Sequence, residues 1–158
     1  MNRVLKNKIL FVFIRIPAPC ILLISIYLSS QPVLYNIPGM NVSDKLVHVV
    51  CFAGLCAAWC LWWPQKYWLA NPFRAAFVTA FCVCLYGIAD EYHQFFTPGR
   101  EASVLDWAAD SAGAVLGAVM GFLAEKAAYS ISLLKTKIRC EKAPRRRARL
   151  KNRPEVNE

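Results

Sequence analysis

Apolar residues fall in four blocks along the chain, separated by short stretches that concentrate proline, glycine and charge. The blocks cover residues 9–30, 46–63, 75–94 and 103–123. Each approaches the roughly 20 residues a helix needs to cross a hydrocarbon core, so the pattern predicts four transmembrane helices. The first is interrupted by Arg15, Pro17 and Pro19, and Arg15 can snorkel back towards the basic residues that precede it. Residues 31–43 hold Pro32, Asn36, Pro38, Gly39 and Asn41 without a single Lys or Arg, which is loop chemistry. Around Pro64, residues Trp59, Trp62, Trp63, Tyr67 and Trp68 make an aromatic belt at headgroup level. A hairpin loop over 95–102 leads into Ser103-Val104-Leu105-Asp106, the spacing of a capping box. Residues 125–134 can continue as an interfacial helix, after which apolar residues become scarce. The expected fold is all-α: a polytopic four-transmembrane-helix bundle over 9–126, a basic N-terminus over 1–8, and a basic, disordered tail over 127–158.

Composition supports a membrane protein. Of 158 residues, 57% are hydrophobic and the mean hydropathy is +0.34, too apolar for an ordinary soluble domain of this size. A charged start before an apolar run also describes a signal peptide, but no small-x-small cleavage pattern follows, so an uncleaved anchor is expected. Six of the seven cysteines lie in apolar runs, where the thiol acts as a small hydrophobe; Cys82-x-Cys84 has no second pair near it.

The net charge of +9 matters through its distribution. Arg3, Lys6, Lys8, Arg15, Lys66, Arg74 and eleven more basic residues from Lys126 onward fall on one side of the four-span arrangement, against Lys45 and Arg100 on the other. The positive-inside rule then puts both termini in the cytoplasm, in a multi-pass protein of the cell membrane, or of the inner membrane where there are two. The Arg145–Arg147 run and its neighbours sit beside the membrane, where anionic lipid is the nearer partner at about 1 kcal/mol per basic residue. Nucleic acid is not expected.

Orientation gathers Asp44, Asp90, Glu91, Glu101, Asp106, Asp110 and both histidines, His48 and His93, on the extracytoplasmic side. A carboxylate in the centre of a membrane helix costs roughly 2.5–3.5 kcal/mol on insertion scales, so such residues normally face a bundle interior or a wet cavity. Asp44 and His48 are four apart, Glu91 and Gln94 three, and Asp106 and Asp110 four, so each pair shares a helix face. Asp110 lies roughly 10 Å along its helix from Ser103 and needs a partner or water at that depth. Gly113, Gly117 and Gly121 continue the same face, a GxxxGxxxG stripe of the kind that lets a neighbouring helix approach closely. A metal site would use His48 with Glu91 and Asp110, but no HExxH or comparable ligand spacing supports one, and no metal or other cofactor is expected.

Asp44-Lys45-x-x-His48, Glu91-x-x-Gln94, Pro98-Gly99-Arg100 and Asp106-x-x-x-Asp110-x-x-Gly113-x-x-x-Gly117, in that order, resemble the VanZ-like family of small bacterial membrane proteins. The resemblance implies a four-helix protein of the cell envelope and, through the family's name, an accessory role in glycopeptide resistance of the teicoplanin type. Three function classes stay open. The first is a binding factor that acts on a membrane lipid, a lipid-linked cell-wall precursor or a glycopeptide at the outer leaflet. The second is an enzyme acting on a lipid-linked phosphate or sugar, with His48, Glu91 and Asp110 as the reactive groups and Lys45, Gln94, Arg100 and Asp106 around the ligand. The third, a transporter or proton relay, has no inverted repeat or broken-helix pair behind it.

Overall fold

The computed structural model describes residues 9, 11–31 and 44–151, the side chains of residues 143 and 145–151 excepted. The expected basic N-terminus over 1–8, most of the 31–43 loop and the last residues of the tail lie outside the described residues. Among those described there is no strand, and the helices are α1 (Pro17–Ser29), α2 (Asp44–Cys60), α3 (Gln65–Ala70), α4 (Pro72–Phe95) and α5 (Val104–Lys151). Three are long and apolar enough to cross a membrane: Phe11–Ser29, which contains α1, then Pro72–Phe95 and Val104–Lys142.

The second apolar block folds differently from the 46–63 expected of it. Its helix begins two residues earlier, at Asp44, and ends at Cys60. The turns that follow are tight, with the amides of Leu61, Trp62 and Trp63 bonding three residues back, before Pro64 ends the run. At 17 residues α2 is about 25 Å long, shorter than a typical hydrocarbon core of roughly 30 Å. The connection after it is not plain loop: it holds α3. Helix α4 starts at Pro72 rather than 75, a first-turn position where proline's missing N–H has no partner to lose.

Residues up to Leu123 form one compact unit. Within it, α1 packs on α2 and α4, and α2 on α4. The core joins Phe52, Leu55 and Cys56 of α2 to Val83 of α4 and Ala114 and Ala118 of α5. Helix α5 lies against α2 through its glycines. A Cβ on Gly113 would stand 2.5 Å from the Val49 carbonyl oxygen, one on Gly121 2.5 Å from Cys60 Cβ, and one on Gly117 would run into the Ala53 carbonyl oxygen. Backbones this close leave no room for any side chain. Phe73, Phe77, Phe81, Leu85, Ile88 and Tyr92 of α4 form an exposed stripe, an aggregation hazard in water but the ordinary outside of a helix in lipid.

One end of this unit carries a group of indoles, those of Trp59, Trp62, Trp63 and Trp68. Trp63 Nε1 donates to Thr79 Oγ1 at 2.8 Å and Trp68 Nε1 to the Cys60 carbonyl at 3.1 Å. Arg15 Nη2 donates to the Trp62 carbonyl at 2.9 Å, while Trp62 Nε1 donates back to the Arg15 carbonyl at 3.2 Å. The Arg15 guanidinium also lies 3.5 Å from the Phe11 ring centroid, so the charge is covered by aromatic faces. None of the seven cysteines is in a disulfide.

Residues from Ala124 form a second unit. Disorder was expected there, yet α5 is helical through Lys151. Ala, Lys, Arg, Glu and Leu dominate the segment, all strong helix formers, and a low apolar content does not prevent them from keeping a helix once it is nucleated. Its hydroxyls return to the helix's own carbonyls: Ser130 to Lys126, Ser132 to Tyr129 and Thr136 to Ser132.

Candidate functional site

At the end away from the indoles, four helix termini meet: the C-termini of α1 and α4 and the N-termini of α2 and α5. The turn between α4 and α5 is set by Pro98-Gly99. Gly99 has φ 79° and the Arg100 amide bonds to the Thr97 carbonyl at 3.1 Å, a type II turn with proline and glycine where that turn needs them. Arg100 is thereby aimed at α1. Its Nε donates to the Gln31 carbonyl at 3.2 Å, Nη2 to the Leu28 carbonyl at 3.3 Å and Nη1 to Gln94 Oε1 at 3.4 Å. The guanidinium therefore satisfies carbonyls at the C-terminus of α1, where a cation also suits the helix dipole. Its fork is occupied by the protein itself.

Ser103 opens α5, but the capping box closes differently from the sequence expectation. Ser103 Oγ accepts the Asp106 amide at 3.4 Å, the expected half. The Ser103 amide goes to Glu91 Oε2 of α4 at 2.7 Å, not to Asp106. Asp106 is taken by Lys45 of α2, Nζ to Oδ1 at 2.6 Å. An ammonium across the helix interface competes for the carboxylate, and a carboxylate from another helix takes over the vacated backbone donor. The Lys45 side chain is 49% exposed and that of Asp106 10%, so this pair stands at the rim.

One helical turn deeper, His48 Nδ1 lies 2.8 Å from Asp110 Oδ1. Asp110 is completely buried and His48 nearly so. A proton on Nδ1 in that bond leaves Nε2 turned towards Asp44, whose Oδ1 is 3.9 Å away. Gln94 Nε2 donates to Asp90 Oδ2 at 3.0 Å, and both side chains are buried. His93, by contrast, is exposed and reaches Ser30 Oγ at 2.9 Å, outside the cluster. The site residues singled out from sequence thus divide into a rim (Lys45, Asp106), a buried set (His48, Glu91, Gln94, Asp110) and a clamp between the α4–α5 turn and the end of α1 (Arg100).

Several polar atoms are left over. Glu91 Oε1, Asp110 Oδ2, Asp44 Oδ1 and the hydroxyls of Ser29 and Ser111 are buried without a hydrogen-bond partner. A cavity of about 30 Å³ lies alongside, lined by Ser25, Ser29, His48, Asp90, Gln94 and Arg100 among others. That is room enough for a water molecule with polar partners on its walls. Sequence reasoning gathered Asp90 at this end without giving it a role in the site, and did not single out Ser25, Ser29 or Gly87. The serines' i,i+4 spacing inside an apolar span was the available signal, as was Asp90's i,i+4 relation to Gln94. Gly87 had none: a Cβ there would lie 3.1 Å from both Cβ and Oδ2 of Asp110, so the deep carboxylate rests against the backbone of α4.

The VanZ/LLP1 family model matches residues 5–125. The chain belongs to the VanZ/LLP1 family. No curated protein and no solved structure matches it. As a VanZ/LLP1 membrane protein it has long apolar helices around a polar terminus whose residues come from all four converging helix ends. The matched region holds every one of those residues.

Proposed function

We propose that the chain is a four-span protein of the cell membrane, with α2 as a short fourth span and both termini cytoplasmic, that binds the polar headgroup of a lipid-linked cell-wall precursor at its extracytoplasmic end. In this role it alters glycopeptide sensitivity of the teicoplanin type. The observation that carries the reading is the half-exposed Lys45 ammonium, bound to Asp106 at 2.6 Å, over the buried His48–Asp110 pair. An anionic headgroup can approach that ammonium from the membrane surface while its chain stays in lipid beside the exposed apolar stripes. Because Arg100 is committed to α1, Lys45 is the principal cation of the site.

A second reading is favoured by one feature. Asp110 orients His48 as a carboxylate orients a general base, which suits hydrolysis or transfer at a lipid-linked phosphate or sugar. Wild-type chain purified in nanodiscs with a labelled polyprenyl phosphate separates the two. Retention without turnover, reduced at least tenfold in Lys45→Ala at equal protein abundance, is the expected outcome. Release of the label would transfer the argument to the enzyme, and equal retention by wild type and Lys45→Ala would remove the headgroup site. Orientation has its own check: in a cysteine-free background, Glu101→Cys should react with an impermeant maleimide on spheroplasts and Gln65→Cys only after lysis. The basic helical tail would then face the anionic inner leaflet.

A further inference from the structure

Three carboxylates and an imidazole converge beneath the rim. Ligand atoms of His48, Asp90, Glu91 and Asp110 all lie within 4.8 Å of one another, and all four residues are buried. Opposite ligands across an ion bound at about 2.0–2.2 Å stand roughly 4 Å apart, so only small side-chain adjustments separate this spacing from coordination. We infer that His48, Asp90, Glu91 and Asp110 form a binding site for one divalent transition cation of the zinc or manganese type. This goes beyond the headgroup reading and does not depend on it.

The way each carboxylate is held supports the inference. Asp110 has Oδ1 on His48 and Oδ2 without a partner; Glu91 has Oε2 on the Ser103 amide and Oε1 without a partner. Asp90 is anchored through Oδ2 by Gln94. For Glu91 and Asp90 the fixing donor lies outside the set, which is how ligating carboxylates are oriented by the residues behind them, whereas the His48–Asp110 bond lies within it and would be exchanged for the ion. The open oxygens belong to residues that are 0% and 7% exposed, where an unsatisfied carboxylate oxygen is expensive.

Charge leads to the same conclusion. With the three carboxylates ionised, the group is strongly negative in an apolar bundle. The nearest cations are engaged elsewhere: Lys45 by Asp106, and Arg100 by Gln94 and the α1 carbonyls. A divalent cation would neutralise most of that charge. One imidazole with three carboxylates favours zinc, manganese or iron over magnesium or calcium, which take oxygen ligands almost exclusively. The neighbouring group of Asp44, His48 and Asp106 is a weaker candidate, because Asp106 is already bound to Lys45 and Asp44 is partly exposed. No sequence spacing announces the set: its members come from three helices, and only Asp90 and Glu91 are adjacent.

The test uses the full chain in nanodiscs, stripped with chelator, reloaded separately with Zn²⁺, Mn²⁺, Mg²⁺ or Ca²⁺, desalted and assayed for metal. About one Zn²⁺ or Mn²⁺ per chain should be retained, with Mg²⁺ and Ca²⁺ lost on desalting. Glu91→Gln and Asp110→Asn should each weaken retention at least tenfold, the scale on which altered metal shells lose affinity, while Glu101→Gln at the exposed loop changes nothing. Retention by both Glu91→Gln and Asp110→Asn equal to wild type, or none of the four ions retained by wild type, overturns the site. Should the variants fold poorly, the wild type still decides. Mn²⁺ bound to it should show nitrogen hyperfine coupling from one imidazole, and Co²⁺ should lack a thiolate charge-transfer band. A bound ion without nitrogen coupling, or with that band, would assign the metal to the cysteines or surface carboxylates instead.

Discussion

The two ends of the helical unit handle polar groups in opposite ways. At the indole end the Trp62, Trp63, Trp68 and Arg15 donors find protein acceptors: Trp63 on Thr79, Trp68 on Cys60, and Trp62 and Arg15 on each other's carbonyls. At the polar end a buried His48–Asp110 pair and the Glu91 carboxylate stand beside oxygens that have no partner, although Lys45, Gln94, Ser103 and Arg100 all contribute hydrogen bonds there. Both ends use helix termini and short connections, so the difference does not come from architecture. A self-satisfied end anchors the protein in the membrane. Under the proposed function, the end that buries polar atoms without satisfying them is the one that takes a ligand.

The largest effect should come from the seam that holds both ends in register. Gly117→Leu forces side-chain atoms into the Ala53 backbone, which cannot rotate away, so overpacking should exceed the usual ~1–3 kcal/mol and leave little folded protein in the membrane. Wild-type abundance and detergent melting would mean that α5 and α2 do not meet through their glycines. Next is Asp110→Ala, which leaves His48 buried with its partner gone; removing one member of such a pair typically costs ~3–5 kcal/mol. Asp110→Asn retains an acceptor for the imidazole and should lose much less stability while still impairing ligand binding. Similar melting for the two variants would imply that the pair is not a coupled unit. Smallest is Trp63→Phe at the other end. It removes one indole hydrogen bond to Thr79, worth about 0.5–1.5 kcal/mol, and should leave ligand retention intact. A binding defect in Trp63→Phe at normal abundance would erase the contrast between the ends.

Much of the fold was legible because membrane insertion imposes long apolar blocks, and the polar positions inside them are conspicuous. Both edges of α4 and the start of α5 fall within three residues of those expected from hydropathy. Glycine spacing also pointed to one continuous face of α5. The tail misled because low hydrophobicity signals disorder only when helix propensity is also low, and in residues 124–142 it is high. Within the site, helical periodicity showed which residues share a face but not which helices face each other. Thus Asp106 fits a local cap by spacing, yet its ion-pair partner is Lys45 on another helix, and nothing in the spacing of Arg100 points to the end of α1 that it closes. Gly87 was unreadable for the same reason: its role exists only once Asp110 is packed against it.

The central claim is that the polar end is incomplete by itself, and Glu91→Gln tests it most directly. The amide retains an oxygen for the Ser103 amide and removes one buried negative charge beside Asp90 and Asp110. Thermal melting of wild type and Glu91→Gln, each purified free of lipid ligand and metal, should then give a variant at least as stable as wild type. A clearly lower melting temperature for Glu91→Gln would show that Glu91 braces the fold, contradicting a site built for something else to fill.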